Sequence, residues 1–238
     1  MFLAVPAIPV GQFVTTKVAG LTIDLDTVWG SALAGSIVIG LGLALRRSAT
    51  AAVPGRLQLF WETVVGTIRR QVEQYVGQRA GPVVPLAVTL FVFILLANWL
   101  EVLPSGAINV ALPSPTADAN LPYAMAVLVF LIYNAASLRY LGVKGFFRRV
   151  FHKPWALVPI NLVEELIKPV TLSLRLFGNL LSGGLMIALL AALFPFWLSW
   201  LPTVLWKLFD MFIGVIQAFI FSLLTILYYQ SAVTEESH

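Results

Sequence analysis

Five stretches of this chain stay apolar for a bilayer's thickness or more, and a sixth alternates on a helical period. Thr27–Leu45 carries no charge and is closed by Arg46 and Arg47; about 19 residues of helix cross one hydrocarbon core. Residues 82–101 and 122–138 are two more such runs, with Glu101 at the end of the first and Arg139 just after the second. Between them lies a segment holding Pro113, Pro115, Gly106, Asp118 and Asn120, which reads as a loop. Residues 56–79 behave differently. Leu57, Trp61, Val64, Ile68, Val72 and Val76 recur every three or four positions among Glu62, Arg69, Arg70, Glu73 and four glutamines. This is the pattern of an amphipathic helix lying in a membrane surface; packing on a soluble domain is the alternative, and the rest of the chain leaves no room for one. Met1–Gly20 is apolar, is broken by Pro6 and Pro9, and lacks the charged start of a signal peptide. It reads as an irregular lead-in.

The last two apolar stretches, 159–194 and 201–229, are too long for an upright crossing. As helices they measure about 54 and about 43 Å, against a core of about 30 Å. They must tilt steeply, kink or protrude, and Pro195 and Pro202 mark the turn between them. The expectation is an all-α integral membrane protein forming a single domain. It has an N-terminal transmembrane helix, an interfacial amphipathic helix, a transmembrane hairpin and two long, strongly tilted C-terminal helices.

Composition agrees: 59% of the 238 residues are hydrophobic and 11% charged, where soluble domains carry about 25% charged residues. A pI near 9.6 raises the question of nucleic acid, but the basic residues flank apolar runs and orient the chain instead. Six arginines lie in 46–79 and five Lys or Arg in 139–153, with none in 102–122. By the positive-inside rule both basic segments are cytoplasmic, the N-terminus and the proline-rich loop are outside, and the C-terminus is cytoplasmic. There is no cysteine, so disulfides, thiolate metal sites and cysteine nucleophiles are excluded. No metal or cofactor motif is present. His152 and His238 lie at cytoplasmic ends, His152 in a basic loop where it is solvated.

Against this apolar background Arg175 stands out, since no further charge follows it until Lys207. A guanidinium at membrane depth costs about 2.5–3.5 kcal/mol on insertion scales and does not shed its charge, which marks a functional position. With about 100° per residue and Glu164 at zero, Lys168, Thr171, Arg175, Asn179 and Ser182 all fall within a wedge of about 80°. Pro169 loosens the alignment of Glu164 and Lys168 with the rest. On the next helix Thr203, Lys207, Asp210, Gly214 and Gln217 share a second stripe. Two facing polar stripes make a path for a small charged species; a structural network, such as Arg175 paired with Asp210, is the alternative. Gly178, Ser182, Gly183 and Gly184 let another helix approach closely, whether from a partner or from within the chain. A secondary transporter would show internal repeats and a membrane enzyme a nucleophile, base or metal cluster; neither is visible.

Lys168-Pro-Val-Thr-Leu-Ser-Leu-Arg-Leu-Phe-Gly-Asn179 resembles the signature of subunit a of bacterial F-type ATP synthases. The segments Ile216-Gln-Ala-Phe-Ile-Phe-Ser-Leu-Leu-Thr225 and Phe91–Pro104 resemble the family's last-helix and third-helix motifs, and the likeness spans roughly 56–230. The resemblance implies the static half of a proton motor in the bacterial inner membrane, non-catalytic itself and without a cofactor. Its partners would be a ring of c subunits, b or b-like peripheral-stalk subunits, the F1 sector and the lipid bilayer, with no nucleic acid. Two aqueous half-channels would exchange protons with ring carboxylates on either side of Arg175. Asn179, Gln217 and Glu101 match other family positions. Gly178, Ser182 and Gly183 would pack on the ring. One departure concerns the outer path: many relatives have an ionisable residue nine positions after the arginine, here Gly184, and many bacterial ones a histidine seven before the glutamine, here Asp210. Glu164, Glu165, Asp210 and Glu101 are candidate outer carriers, with Lys168 as a neighbouring cation.

Overall fold

A computed structural model describes residues 15–18, 21–50, 54–76, 83–102, 120–150 and 158–233. The first fourteen residues, the proline-rich loop at 103–119, and His152 and His238 lie outside the described residues. A short antiparallel hairpin, β1 (Thr15–Val18) and β2 (Leu21–Asp24), pairs Thr15 with Asp24 and Val18 with Leu21. It leads into six helices: α1 (Leu25–Ser48), α2 (Arg56–Val76), α3 (Val83–Val102), α4 (Asn120–Val150), α5 (Val158–Leu193) and α6 (Phe196–Val233). All but α2 are long and apolar enough to cross a membrane. The hairpin replaces part of the expected irregular lead-in. Its residues include Thr15, Thr16, Val18, Thr22 and Ile23, and β-branched side chains favour extended backbone.

α6 organises the bundle. It packs most extensively on α3 and also touches α2, α4 and α5, while α1 leans on α3. Two hydrogen bonds set the antiparallel α3–α6 register: Asn98 Nδ2 donates to the Gly214 carbonyl at 3.3 Å, and Ser222 Oγ donates to the Ala87 carbonyl at 3.0 Å. Gly214 makes the approach possible, because a Cβ there would stand 3.0 Å from the Asn98 Cβ. α6 begins at Phe196, earlier than the expected Leu201, and carries Pro202 within it. A proline lacks one backbone donor, and a residue beyond it the Thr203 hydroxyl bonds the Ser199 carbonyl at 2.7 Å. In α5, Pro169 is likewise carried inside the helix, and the Thr171 hydroxyl bonds the carbonyls of Ile167 and Lys168. Membrane helices tolerate such prolines where neighbouring protein packs around the break.

α2 keeps its charged face outward, and its apolar stripe meets protein. Trp61, Ile68 and Val72 are buried, and Ile68 and Val72 join one cluster with Val83, Ala87, Ala232 and Val233. The start of α3 and the end of α6 thus supply the cover that the amphipathic pattern sought in lipid. Gln58 clasps the α1–α2 connection: its amide accepts from Thr50 N at 3.1 Å and donates to Thr50 O at 3.0 Å. α4 outruns the expected 138 and breaks at Gly142, whose φ of 69° is left-handed, a conformation glycine adopts without steric penalty.

Filling the α3–α6 contact is expected to be destabilising in proportion to size. Gly214→Leu should cost about 1–3 kcal/mol through overpacking and Gly214→Ala less, read as a lowered midpoint in thermal unfolding of the detergent-solubilised protein.

Candidate functional site

α5 displays its polar wedge from the edge of its buried face. With Glu164 again at zero, the buried positions Leu172, Leu176 and Gly183 cluster at about 80–120° on the helix. The wedge lies to one side of them. Arg175, Thr171, Gly178 and Ser182 are exposed, Asn179 and Lys168 half-buried. Leu174, Leu181 and Leu185 continue the exposed surface. Arg175 makes no ion pair among the described residues. Beside it the Ser182 hydroxyl is turned back to the Asn179 carbonyl at 2.8 Å.

One half of α5 holds a charge cluster that ties three helices together. Lys168 Nζ lies 2.8 Å from Glu165 Oε1, and the Tyr133 hydroxyl of α4 donates to Glu165 Oε2 at 2.9 Å. The Lys168 ammonium also sits 5.7 Å from the centre of the Tyr228 ring of α6, within reach of a cation–π attraction. Tyr133 is buried, and the Glu165 and Lys168 side chains are 17% and 16% exposed, so this pair is shielded from solvent far more than a surface ion pair.

In the other direction along α5 the contact is with the carboxylate of Asp210. A Cβ at Gly183 would stand 3.3 and 3.4 Å from its two oxygens, so glycine lets α6 set an acid against the α5 backbone. Lys207, one turn earlier on α6, is the charged neighbour of Asp210. Gly183 is eight residues beyond Arg175, about 12 Å along the axis, and Glu165 ten residues before it, about 15 Å. The two acidic sites therefore lie on opposite sides of the arginine.

Gly214 and Gln217, farther along the α6 stripe, are both buried, and Gly214 packs against Asn98 of α3. Asn98 Oδ1 and Gln217 Nε2 are buried without a hydrogen-bond partner among the described residues: one acceptor and one donor. The α3–α6 register places Glu101, three residues past Asn98, opposite the backbone of residue 211, at the level of Asp210.

The family model described as ATP synthase A chain matches residues 28–230. The chain belongs to that family. It is 50% identical over 232 residues to ATP synthase subunit a of Acidothermus cellulolyticus, covering 97% of this chain and 85% of that protein. It is 47% identical over 240 residues to the subunit a of Mycobacterium leprae, covering 97% and 95%. For Mycobacterium tuberculosis the figures are 47% over 241 residues, 97% and 96%. The match reaches back to residue 28, so this member of the A chain family shares its first membrane helix with the family as well.

Set against the family reading, the geometry rearranges several assignments. Gly178 and Ser182 are on the open face, but Gly183, five positions past Gly178 and so about 140° around the helix, is turned inward to Asp210. The two stripes touch at Gly183 and Asp210, while Gly214 is given to α3. An Arg175–Asp210 pair is not formed. Glu165 does not group with Asp210 and Glu101 along one path, and Glu164, its neighbour on α5, belongs to the same half of the helix as Glu165. Sequence reasoning passed over Asn98, Tyr133 and Tyr228. Asn98 left a trace, as the single side-chain amide in the apolar run 80–100; the two tyrosines left none.

Removing one partner of the Glu165–Lys168 pair should hurt more than removing both. Lys168→Gln strands a carboxylate between helices, and Glu165→Gln in that background should recover stability. Tyr133→Phe should cost about 2 kcal/mol, the scale of a hydrogen bond to a charged group. Thermal unfolding of the four proteins reads all three.

Proposed function

We propose that this chain is the proton-conducting stator subunit of a rotary ATP synthase, and that Arg175 is the charge which keeps its two proton paths apart. The observation that carries this reading is the placement of Arg175. A permanent cation lies within a membrane-length helix, on a face that no other described element covers, flanked by Gly178 and Ser182 and otherwise by leucines. Such a face suits a moving partner that carries the opposite charge at the same depth, a ring of c subunits with one carboxylate each. Peripheral-stalk subunits and the F1 sector complete the machine, and this chain lies in the bacterial inner membrane with its C-terminus cytoplasmic.

The chemistry follows from solvation. A ring carboxylate travelling through lipid is neutral, because burying its charge is too costly. On reaching Arg175 its anion is favoured, so the O–H bond breaks and the proton leaves to one path. Beyond the arginine the anion takes a proton from the other path and re-enters lipid neutral. The guanidinium itself keeps its protons throughout, which blocks direct leakage between the paths. Net proton flow then requires the ring to turn.

The acidic sites on either side of Arg175 fit two such paths. We assign Asp210, Glu101, Asn98 and Gln217 to the outer one. The orphaned Asn98 acceptor and Gln217 donor are buried groups of the kind that ordered water satisfies. Glu164, Glu165 and Lys168 fall in the half of α5 nearer the basic segment 139–153, on the cytoplasmic side. Asn179 borders Arg175. Helices of 36 and 38 residues lie steeply across the bilayer, since about 54–57 Å must fit a core of about 30 Å, and that tilt lets α5 follow the curved ring.

Arg175→Ala is expected to abolish ATP-driven proton pumping in membrane vesicles while the complex still assembles. Arg175→Lys should be severely impaired, since lysine is a point charge that can lose its proton when buried; near-normal pumping by that variant would remove the need for a permanent guanidinium. Asp210→Asn keeps the shape and deletes the titratable proton. It should slow proton-driven ATP synthesis and shift its dependence on external pH. A rate matching the unmodified protein at every pH would make Asp210 structural.

A further inference from the structure

The end of α4 carries an arrangement that the proton paths do not use. Asn120–Leu141 is about 33 Å of helix, one crossing of the hydrocarbon core. Gly142 then leaves helical geometry, with φ 69° and ψ 175°, and Val143–Val150 follows as a separate helical segment. The break therefore falls at the depth of the headgroups. Gly145 helps the tight exit, because a Cβ there would lie 2.7 Å from the Leu141 Cβ. In the segment that follows, Val143 and Phe147 are 62% and 54% exposed. Phe146 stacks edge-on against Phe147 with ring centres 5.7 Å apart, and Lys144 is exposed.

The sequence register completes the pattern. With Val143 at zero, Phe146, Val150 and Phe147 fall within an apolar arc of about 100°, and Lys144, Arg148 and Arg149 occupy the remainder. An apolar arc with an aromatic pair and a basic opposite side is the pattern of a helix lying in the membrane plane. It sinks its apolar side about 5–10 Å into the acyl boundary and sets its cations among the phosphates. The segment has no acidic residue, so zwitterionic headgroups offer it less than anionic ones.

We infer that Val143–Val150 is a binding site for anionic phospholipid in the cytoplasmic leaflet, with Val143 and Phe147 in the acyl boundary, exposed Lys144 as a headgroup contact and the basic register positions 148 and 149 on the same polar side. Gly142 supplies the turn that takes the chain from the membrane normal into its plane. The inference does not depend on the proton-path reading, because none of these residues lies on either path.

This chain has no cysteine, so Phe147→Cys places one fluorophore on it; unmodified complex treated with the same reagent gives the blank for the other subunits. The labelled complex is reconstituted in phosphatidylcholine vesicles holding equal small fractions of acyl-nitroxide phosphatidylglycerol or acyl-nitroxide phosphatidylcholine. Quenching by the anionic lipid should correspond to an association preference of about fivefold, the effect of one effective surface charge contact. It should fall to about unity when Lys144→Gln, Arg148→Gln and Arg149→Gln are combined. Val143→Cys reads the same face, and ATP hydrolysis by each complex checks assembly. Equal quenching by both lipids in the unmodified-charge protein overturns the anionic site. So does a preference that survives the triple substitution. Quenching by aqueous iodide instead of lipid overturns the interfacial position, and shielding from both lipid and iodide assigns the face to another protein.

Discussion

The contact between α3 and α6 at Gly214 is the constraint on which the rest of this bundle depends. Lipid tails are as apolar as the helices, so burial of grease alone drives little helix association in a membrane; close approach and a few polar contacts do. Gly214 lets Asn98 reach a backbone carbonyl, and two turns along α6 Ser222 reaches back to Ala87. With that register set, α6 presents its other flank to α4 and α5, and α2 closes over the ends of α3 and α6. The carboxylate of Asp210 reaches the α5 backbone because α6 is held in this register and because position 183 has no side chain.

Among the described charges of α5 and α6, Arg175 differs from the rest in standing on the open face. Glu165 and Lys168 answer each other and are braced by tyrosines from α4 and α6. Asp210 has Lys207 one turn away. Arg175 points out of the bundle. Such a distribution follows from the cost of ions in a low-dielectric medium: charges that serve architecture are paired where they stand. A cation left open at the same depth fits the proposed meeting with a ring carboxylate.

Much of this was legible from residue order, and the rest was not for physical reasons. Apolar runs as long as a bilayer announce helices, so the membrane helices and the amphipathic α2 could be read directly. Boundaries near proline were less legible, as the early start of α6 ahead of Pro202 shows, because a membrane helix can carry a proline that composition marks as a stop. Facing was hardest. On a helix apolar all round, lipid-facing and protein-facing positions look alike, so nothing in the run 80–100 said that α3 would turn toward α6, or that Gly183 and Gly178 would point different ways. The polar wedge on α5 was visible, but its relation to Asp210 depends on a helix contact that only the fold supplies.

The helix on which the others rest is also the last of the six to be made. Asn98 and Gly214 are 116 residues apart, which at ordinary rates of synthesis is a delay on the order of ten seconds. During that interval α3 stands in lipid with an amide that has nothing to bond, and Tyr133 waits in the same way for Glu165. Before α6, α3 has α1 and α2 to lean on, and α1 and α2 are joined through the Gln58 clasp. A ribosome that stalls before α6 leaves a membrane protein with unsatisfied polar groups facing lipid, a form that membrane proteases can distinguish from the finished one. The order of the helices thus leaves the closing of the bundle to the helix made after the other five.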